Sequence, residues 1–116
     1  MKTLEQMQCV PCRASEPAIS DDQIAELLPQ IPAWNLAEKD GIKRLERQFK
    51  FNTFAQALAF SVRVGALAEE EDHHPAILTE WGKVTVTWWT HVLKGLHLND
   101  FILAAKTDRL FESEIS

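Results

Sequence analysis

The chain has little cysteine, no excess of basic charge and no long apolar run, and each lack excludes a class of protein. Its 12 basic side chains are outnumbered by 17 acidic ones, which gives a formal net charge of −5. This balance argues against nucleic-acid binding, which needs a basic face for the phosphate backbone. No apolar run approaches the roughly 20 residues of a membrane-spanning helix, and the first residues lack the apolar core of a signal peptide. We therefore predict a cytoplasmic protein without nucleic-acid or membrane partners.

Only two cysteines are present, Cys9 and Cys12, in a C-x-x-C spacing. Alone, this motif is half of a zinc knuckle or a redox pair, and it lies in a stretch without helix or strand periodicity. We interpret residues 1–18 as a loose N-terminal segment with two incidental thiols, and residues 19–116 as a single domain. A zinc site that borrows histidines from the centre of the chain is the alternative, but we predict no metal site.

Capping and turn signals divide the first half of the domain into a helix and a hairpin. Ser20 and Gln23 form a capping box that begins a short helix, and the prolines that follow end it. Asp40-Gly41 between two extended runs predicts a β-hairpin, because both central residues of its tight turn need positive φ.

The second half repeats this order with a longer helix. A second capping box, Thr53 with Gln56, predicts a central helix of roughly 25 Å. A second hairpin turns at Gly82, and a last helix begins near His97 or Asn99. The order α-β-β-α-β-β-α predicts an α+β fold, a four-stranded antiparallel sheet with helices packed on one face.

The central helix is apolar around most of its circumference. One stripe contains Phe54, Leu58, Val62 and Gly65, and a second contains Ala57, Phe60, Val64 and Leu67. Such a helix must be covered on both sides. We expect the sheet to cover one stripe and another subunit to cover the second, around Phe60 and Leu67, in a homodimer or homotetramer. The alternative is that the first and last helices cover it.

Three histidines, His73, His74 and His91, are the candidate catalytic residues. The first two precede Pro75, which ends the central helix, and folding the second hairpin back on itself returns His91 to their neighbourhood. Imidazole titrates near neutral pH, so this gathering predicts proton-transfer chemistry. Adjacent histidines do not make the i, i+4 pair that binds zinc in metalloproteases. Structural or exposed histidines are the alternative.

Four acidic residues crowd the C-terminal end of the central helix, where the helix dipole disfavours negative charge. A sequence that keeps locally unfavourable residues can do so for a functional site. We expect Glu70 and Glu71 to form a solvated face, and Glu69 and Asp72 to orient an imidazole or bind an N–H edge. At least one tryptophan of the second hairpin should lie in the core, and an indole beside the histidines would line a pocket for a flat heterocycle.

The charged and histidine motifs share the order and spacing of one family's signature: Glu69-x-x-x-His73-His74-Pro75, Trp81, Thr90-His91, Gly95-Leu96 and Asp100. These motifs resemble the pterin-4a-carbinolamine dehydratases, the bacterial members in particular, over about residues 20–110. The resemblance implies a 4a-hydroxytetrahydrobiopterin dehydratase, a hydro-lyase that removes water from pterin-4a-carbinolamine. The product is the quinonoid dihydropterin, so the reaction recycles the cofactor of aromatic amino acid hydroxylases.

The resemblance also implies roles for the histidines and a set of partners. His73 and His91 are the acid–base pair, and His74 mainly binds and positions the substrate. No metal or redox cofactor is required, since the pterin is itself the substrate. An aromatic amino acid hydroxylase is a further candidate partner. Other family members act as dimerisation partners of transcription factors, so a protein-binding module for a transcription factor or hydroxylase is the alternative function.

The substrate-binding residues implied by the resemblance surround these histidines. Glu69 binds the pterin edge, because a carboxylate can accept two N–H bonds from the amino-pyrimidine ring. Asp72 and Asp100 orient the histidines, and Pro75 and Thr90 line the pocket.

Overall fold

The structure, a computed structural model, describes residues 3–10 and 18–115. Its regular elements are α1 (Asp21–Leu27), β1 (Asn35–Lys39), β2 (Ile42–Lys50), α2 (Phe54–Glu71), β3 (Ala76–Glu80), β4 (Lys83–Trp88) and α3 (Leu98–Ile115). Short 3-10 turns lie at Leu4–Gln6, Leu28–Gln30 and His91–Leu93. This order confirms the predicted α-β-β-α-β-β-α arrangement. In the described ranges, no helix is both long and apolar enough to cross a membrane.

The four strands form one antiparallel sheet in the order β1-β2-β4-β3. The two hairpins meet where β2 pairs with β4, with Leu45 opposite Trp88 and Phe49 opposite Val84. These four side chains are at most 1% exposed, because α2 and α3 pack on this face of the sheet. The predicted α+β class is confirmed.

Local signals explain where the elements begin and turn. Asp40 and Gly41 both have positive φ, 55° and 77°, as the tight turn of the first hairpin requires. Ser20 Oγ accepts from Gln23 N–H at 3.2 Å while Gln23 Oε1 accepts from Ser20 N–H at 2.9 Å, so the first capping box is confirmed.

The second capping box is only half formed. Thr53 Oγ1 accepts from the Gln56 N–H at 3.1 Å, as predicted for the N-terminus of α2. The Gln56 side chain instead accepts from the backbone N–H of Asn52 at 3.0 Å. In a capping box the Gln56 side chain would accept from the N–H of Thr53, so the observed bond is made one residue earlier in the chain.

The core-facing side of α2 is the stripe that the sequence assigned to a partner subunit. Ala57, Phe60 and Val64 are fully buried, and the Phe60 ring centroid lies 4.8 Å from that of Phe49 on the sheet. Leu67 is half-buried and packs against the same core. The expectation of a partner-facing surface around Phe60 and Leu67 was therefore wrong, because the sheet and α3 occupy it.

The other stripe of α2 faces away from the core. Phe54, Leu58 and Val62 are 44%, 48% and 64% exposed. The spacing of four residues places them in one row along the helix. Neither α1 nor α3 buries this row, so within the described residues α2 carries an exposed apolar surface.

The segment from Thr3 to Val10 lies against α3, although the sequence predicted a loose lead-in over residues 1–18. Leu4 is 4% exposed and belongs to the core, and Glu5 forms an ion pair with Arg109 at 3.1 Å. Of the two cysteines in the C-x-x-C motif, the structure describes Cys9, and Cys12 lies outside the described residues.

Candidate active site

A cavity of about 530 Å³ opens where the end of α2, the turn after β4, the first turn of α3 and the N-terminal segment meet. All three candidate histidines, His73, His74 and His91, line it together with Asp72 and Thr90. The structure therefore brings together side chains that the sequence separates by up to nineteen positions. Of the other predicted site residues, Glu69, Pro75 and Asp100 lie outside its lining.

A left-handed residue at the end of α2 aims the first histidine into the cavity. Asp72 has φ 51° and ψ 45°, a conformation that aspartate tolerates better than most residues with a side chain. The chain therefore reverses after Glu71, and the His73 N–H donates back to the Ala68 carbonyl at 3.1 Å. This reversal turns the His73 side chain away from the helix and toward α3.

His73 is held by a buried carboxylate. Its Nε2 lies 2.8 Å from Oδ1 of Asp100, whose side chain is 0% exposed. The second carboxylate oxygen, Oδ2, accepts from Thr90 Oγ1 at 2.7 Å and from the His97 N–H at 2.9 Å. The His73 ring also stacks on Trp88, with centroids 6.0 Å apart. These contacts fix the ring in one orientation.

The carboxylate also selects the tautomer of His73. An ionised carboxylate can only accept hydrogen bonds, so Nε2 of His73 must be the donor to Asp100. In the neutral imidazole the lone pair then resides on Nδ1. The contact with Asp100 thus leaves Nδ1 of His73, a residue that lines the cavity, as the proton acceptor of the ring.

His74 and Glu69 form a second, exposed pair. Nε2 of His74 lies 3.0 Å from Oε2 of Glu69, and their side chains are 54% and 78% exposed. An exposed pair of this kind contributes little to stability. Glu69 therefore contacts a histidine of the cavity, although it does not line the cavity itself.

His91 is carried by a short turn after β4. Thr90 and Gly95 close this turn, with the Thr90 N–H donating to the Gly95 carbonyl at 2.8 Å. The exposed His91 ring packs against Trp89 at a centroid distance of 4.5 Å. The guanidinium of Arg44 lies 4.1 Å above the same Trp89 ring. His91 is therefore placed at the cavity wall by ring packing.

Glu71 does not belong to a solvated acidic face, as the sequence suggested. Its side chain is 15% exposed and lies 3.6 Å from Nζ of Lys106 on α3. The expectation that Glu71 is solvated was wrong, because its partner Lys106 lies on another helix and cannot be seen in the sequence around Glu71. Glu70 is exposed, as expected, and both glutamates line the cavity.

Cys9, Val10 and Asn99 also line the cavity, and the sequence singled out none of them for this role. A weak signal was present, since Met7 and Cys9 follow the polar Gln6 and Gln8 in alternation, which is the period of an extended segment packed on one side. That signal does not reveal the surface against which the segment packs.

Residues 17–110 match the family model described as pterin 4 alpha carbinolamine dehydratase. The chain belongs to this family. A Nitrosococcus oceani protein whose name places it among these dehydratases is 59% identical over 112 residues, covering 97% of this chain and 99% of that protein. The resemblance inferred from the signature motifs is confirmed.

Two solved structures share the fold. One, titled a transcriptional coactivator/pterin dehydratase from Brucella melitensis, aligns with a TM-score of 0.73 at 29% identity and covers 80% of this chain and 97% of its own. The other, titled a pterin dehydratase-like RuBisCO assembly factor in the alpha-carboxysome, aligns with a TM-score of 0.57 at 29% identity, over 67% of this chain and 88% of its own. The two titles thus name a transcriptional coactivator and a RuBisCO assembly factor beside the dehydratase.

In the described residues, no group of three or more histidine, cysteine, aspartate or glutamate side chains is arranged to hold a metal ion. The acidic side chains of the cavity wall, Glu70, Glu71 and Asp72, are hydrogen-bond acceptors. They suit a ligand that presents N–H groups.

Proposed function

We propose that this member of the family is a 4a-hydroxytetrahydrobiopterin dehydratase that works by general acid–base catalysis. The observation that carries the proposal is the His73–Asp100 pair, a cavity-lining imidazole 2.8 Å from a fully buried carboxylate. The buried carboxylate holds the imidazole in one tautomer, and imidazole is the side chain most often used for proton transfer in catalysis.

The reaction needs one proton removed and one delivered. Nδ1 of His73 takes the proton from N5 of the pterin, and the N5 electron pair forms the double bond to C4a. The C4a–O bond breaks, and protonated His91 gives its proton to the departing hydroxyl, which leaves as water. No oxidant or reductant is consumed, and proton exchange with solvent restores both imidazoles.

Substrate binding uses the remaining polar groups of the cavity. A volume of about 530 Å³ is within the range of small-molecule sites, roughly 300–1,000 Å³. Asp72 accepts from the amino-pyrimidine edge of the ring, and Glu69 joins it by exchanging its bond to His74 for bonds to the substrate. Thr90 completes the wall, and Asp100 acts through His73. Pro75 follows His74 directly and lies outside the lining, so its predicted contact with the substrate stays a prediction from the sequence.

Purified protein should accelerate the breakdown of 4a-hydroxytetrahydropterin generated by a hydroxylase, measured as the rate of quinonoid dihydropterin formation. The stable analogue 7,8-dihydrobiopterin should also raise the melting temperature, since a ligand at 100-fold its Kd stabilises the folded state by about 2.7 kcal/mol. Biopterin-free buffer is the control for the melt. Absence of both effects would overturn the proposal, whereas stabilisation without catalysis would leave a pterin-binding protein that is not an enzyme.

A protein-binding role is the second candidate function, and the exposed row on α2 favours it. Phe54, Leu58 and Val62 form an apolar strip that self-association or another protein would bury. Of these two, we expect self-association, as a homodimer or homotetramer, to cover the strip. Association with a hydroxylase and a cytoplasmic location stay predictions from the sequence.

Replacement of Val62 by aspartate should shift the sedimentation profile from oligomer to monomer, because a buried unpaired carboxylate is unfavourable in an apolar interface. The side chain is 64% exposed in the single chain, so the monomer should keep its fold, checked by circular dichroism. Val62→Ile is the matched control and should sediment like wild type. A monomeric wild-type protein would remove the self-association proposal.

A further inference from the structure

We propose that the segment Thr3–Val10, called the strap below, forms part of the substrate pocket, with Val10 contacting the bound pterin and Asn99 positioning the strap. This inference rests on the proposed function, since it takes the ligand of the cavity to be a pterin. The family match begins only at residue 17, so the strap lies outside the part of the chain that the family model describes.

The first half of the strap is anchored far from the cavity. Leu4 is buried in the core at 4% exposure, and Glu5 pairs with Arg109 at 3.1 Å. Met7 packs against the same core. The strap therefore runs along α3 from the region of Arg109 toward the first turn of that helix.

The second half is fixed at the cavity by one buried amide. The Val10 N–H donates to Oδ1 of Asn99 at 3.0 Å, and Nδ2 of Asn99 donates to the Val10 carbonyl at 2.6 Å. Asn99 is 2% exposed, and Sγ of Cys9 lies 4.0 Å from its carbonyl oxygen. Because the amide satisfies both backbone groups of Val10, it sets the position of that residue.

This position exposes apolar surface at the cavity wall. Val10 and Val92, 56% and 55% exposed, both line it, beside the acidic and imidazole groups. A bound flat bicyclic ring would remove both valines from water, which favours binding in proportion to the apolar area buried. The polar groups then set the orientation of the ring, and the valines contribute affinity.

Substitution at Val10 tests the contact. Val10→Asn should raise KM for the carbinolamine by about tenfold while kcat stays within about twofold. The apolar contact holds the substrate and the transition state equally, so its loss weakens binding, whereas the acid–base pair that performs the reaction is unchanged. The matched control is Gln8→Ala, which truncates an exposed side chain of the same strap outside the cavity wall. Its KM should equal that of wild type.

Substitution at Asn99 tests the positioning role. Asn99→Leu keeps the volume but removes both bonds to Val10, so KM should rise at least as much as in Val10→Asn. Asn99→Asp keeps the acceptor for the Val10 N–H and should recover part of the affinity. If Asn99→Leu fails to fold, the partial effect of Asn99→Asp and the Val10 result decide the question.

A binding readout separates this inference from the proposed function. In a Cys12→Ser background, saturating 7,8-dihydrobiopterin should slow alkylation of Cys9 by iodoacetamide severalfold, because the ligand lies against the strap. Wild-type turnover with an unchanged KM in Val10→Asn and no protection of Cys9 would overturn the strap's role. Absence of turnover and of ligand binding in wild type would instead overturn the dehydratase proposal.

Discussion

Replacement of His73 by glutamine is expected to lower kcat for carbinolamine dehydration by ~10²–10⁴-fold, the range that one general acid or base contributes. The glutamine amide can still donate to the Asp100 carboxylate, as Nε2 of His73 does across 2.8 Å. It cannot take a proton from N5 of the pterin. The measurement is single-turnover dehydration with hydroxylase-generated substrate, which isolates the chemical step.

Two comparisons make this result specific. The melting temperature of His73→Gln should stay close to that of wild type, because the contact with Asp100 persists. His74→Gln should act mainly on KM, since His74 is half-exposed and bonds to the exposed Glu69. A His73→Gln enzyme with full kcat would show that another group is the base.

Asp100→Asn should lower kcat by roughly 10²-fold or more, although Asp100 does not line the cavity. The single carbonyl oxygen of asparagine can serve the Thr90 hydroxyl and the His97 N–H, which leaves the NH₂ group facing His73. That group can only donate, so Nε2 of His73 must become the acceptor and the proton moves to Nδ1. The base is then lost from the cavity side, as it is when the wrong tautomer is imposed on other catalytic histidines.

A spectroscopic readout distinguishes this positioning role from a loss of stability. The ¹⁵N shifts of the His73 imidazole should report protonated Nε2 in wild type and protonated Nδ1 in Asp100→Asn. Thr90→Val is the control, because it removes one donor to Asp100 and leaves the pair with His73. If His73 has the same tautomer in wild type and in Asp100→Asn, and Asp100→Asn keeps its activity, Asp100 does not set the tautomer of His73.

Much of the fold could be read from the sequence because its signals are local. The Asp40-Gly41 turn and the Ser20 cap depend on neighbours within three positions. The histidine cluster was accessible for a related reason, since antiparallel pairing of one hairpin returns its far end to its start.

The errors came from contacts that no local pattern encodes. Both stripes of α2 are apolar, so periodicity could not tell that Phe60 faces the sheet and Val62 faces outward. Glu71 meets Lys106 only because α2 and α3 pack side by side. The partner of Val10 is Asn99, 89 positions away.

The course of the strap bears on how this protein should be produced. A clone cut at the boundaries of the family match, residues 17–110, would retain every histidine of the cavity and the aspartate behind them. It would discard Cys9 and Val10, and solvent would enter the cavity from that side. A purification handle at the amino terminus would likewise begin only a few residues before Leu4. A handle at the carboxyl terminus would keep added residues away from the strap.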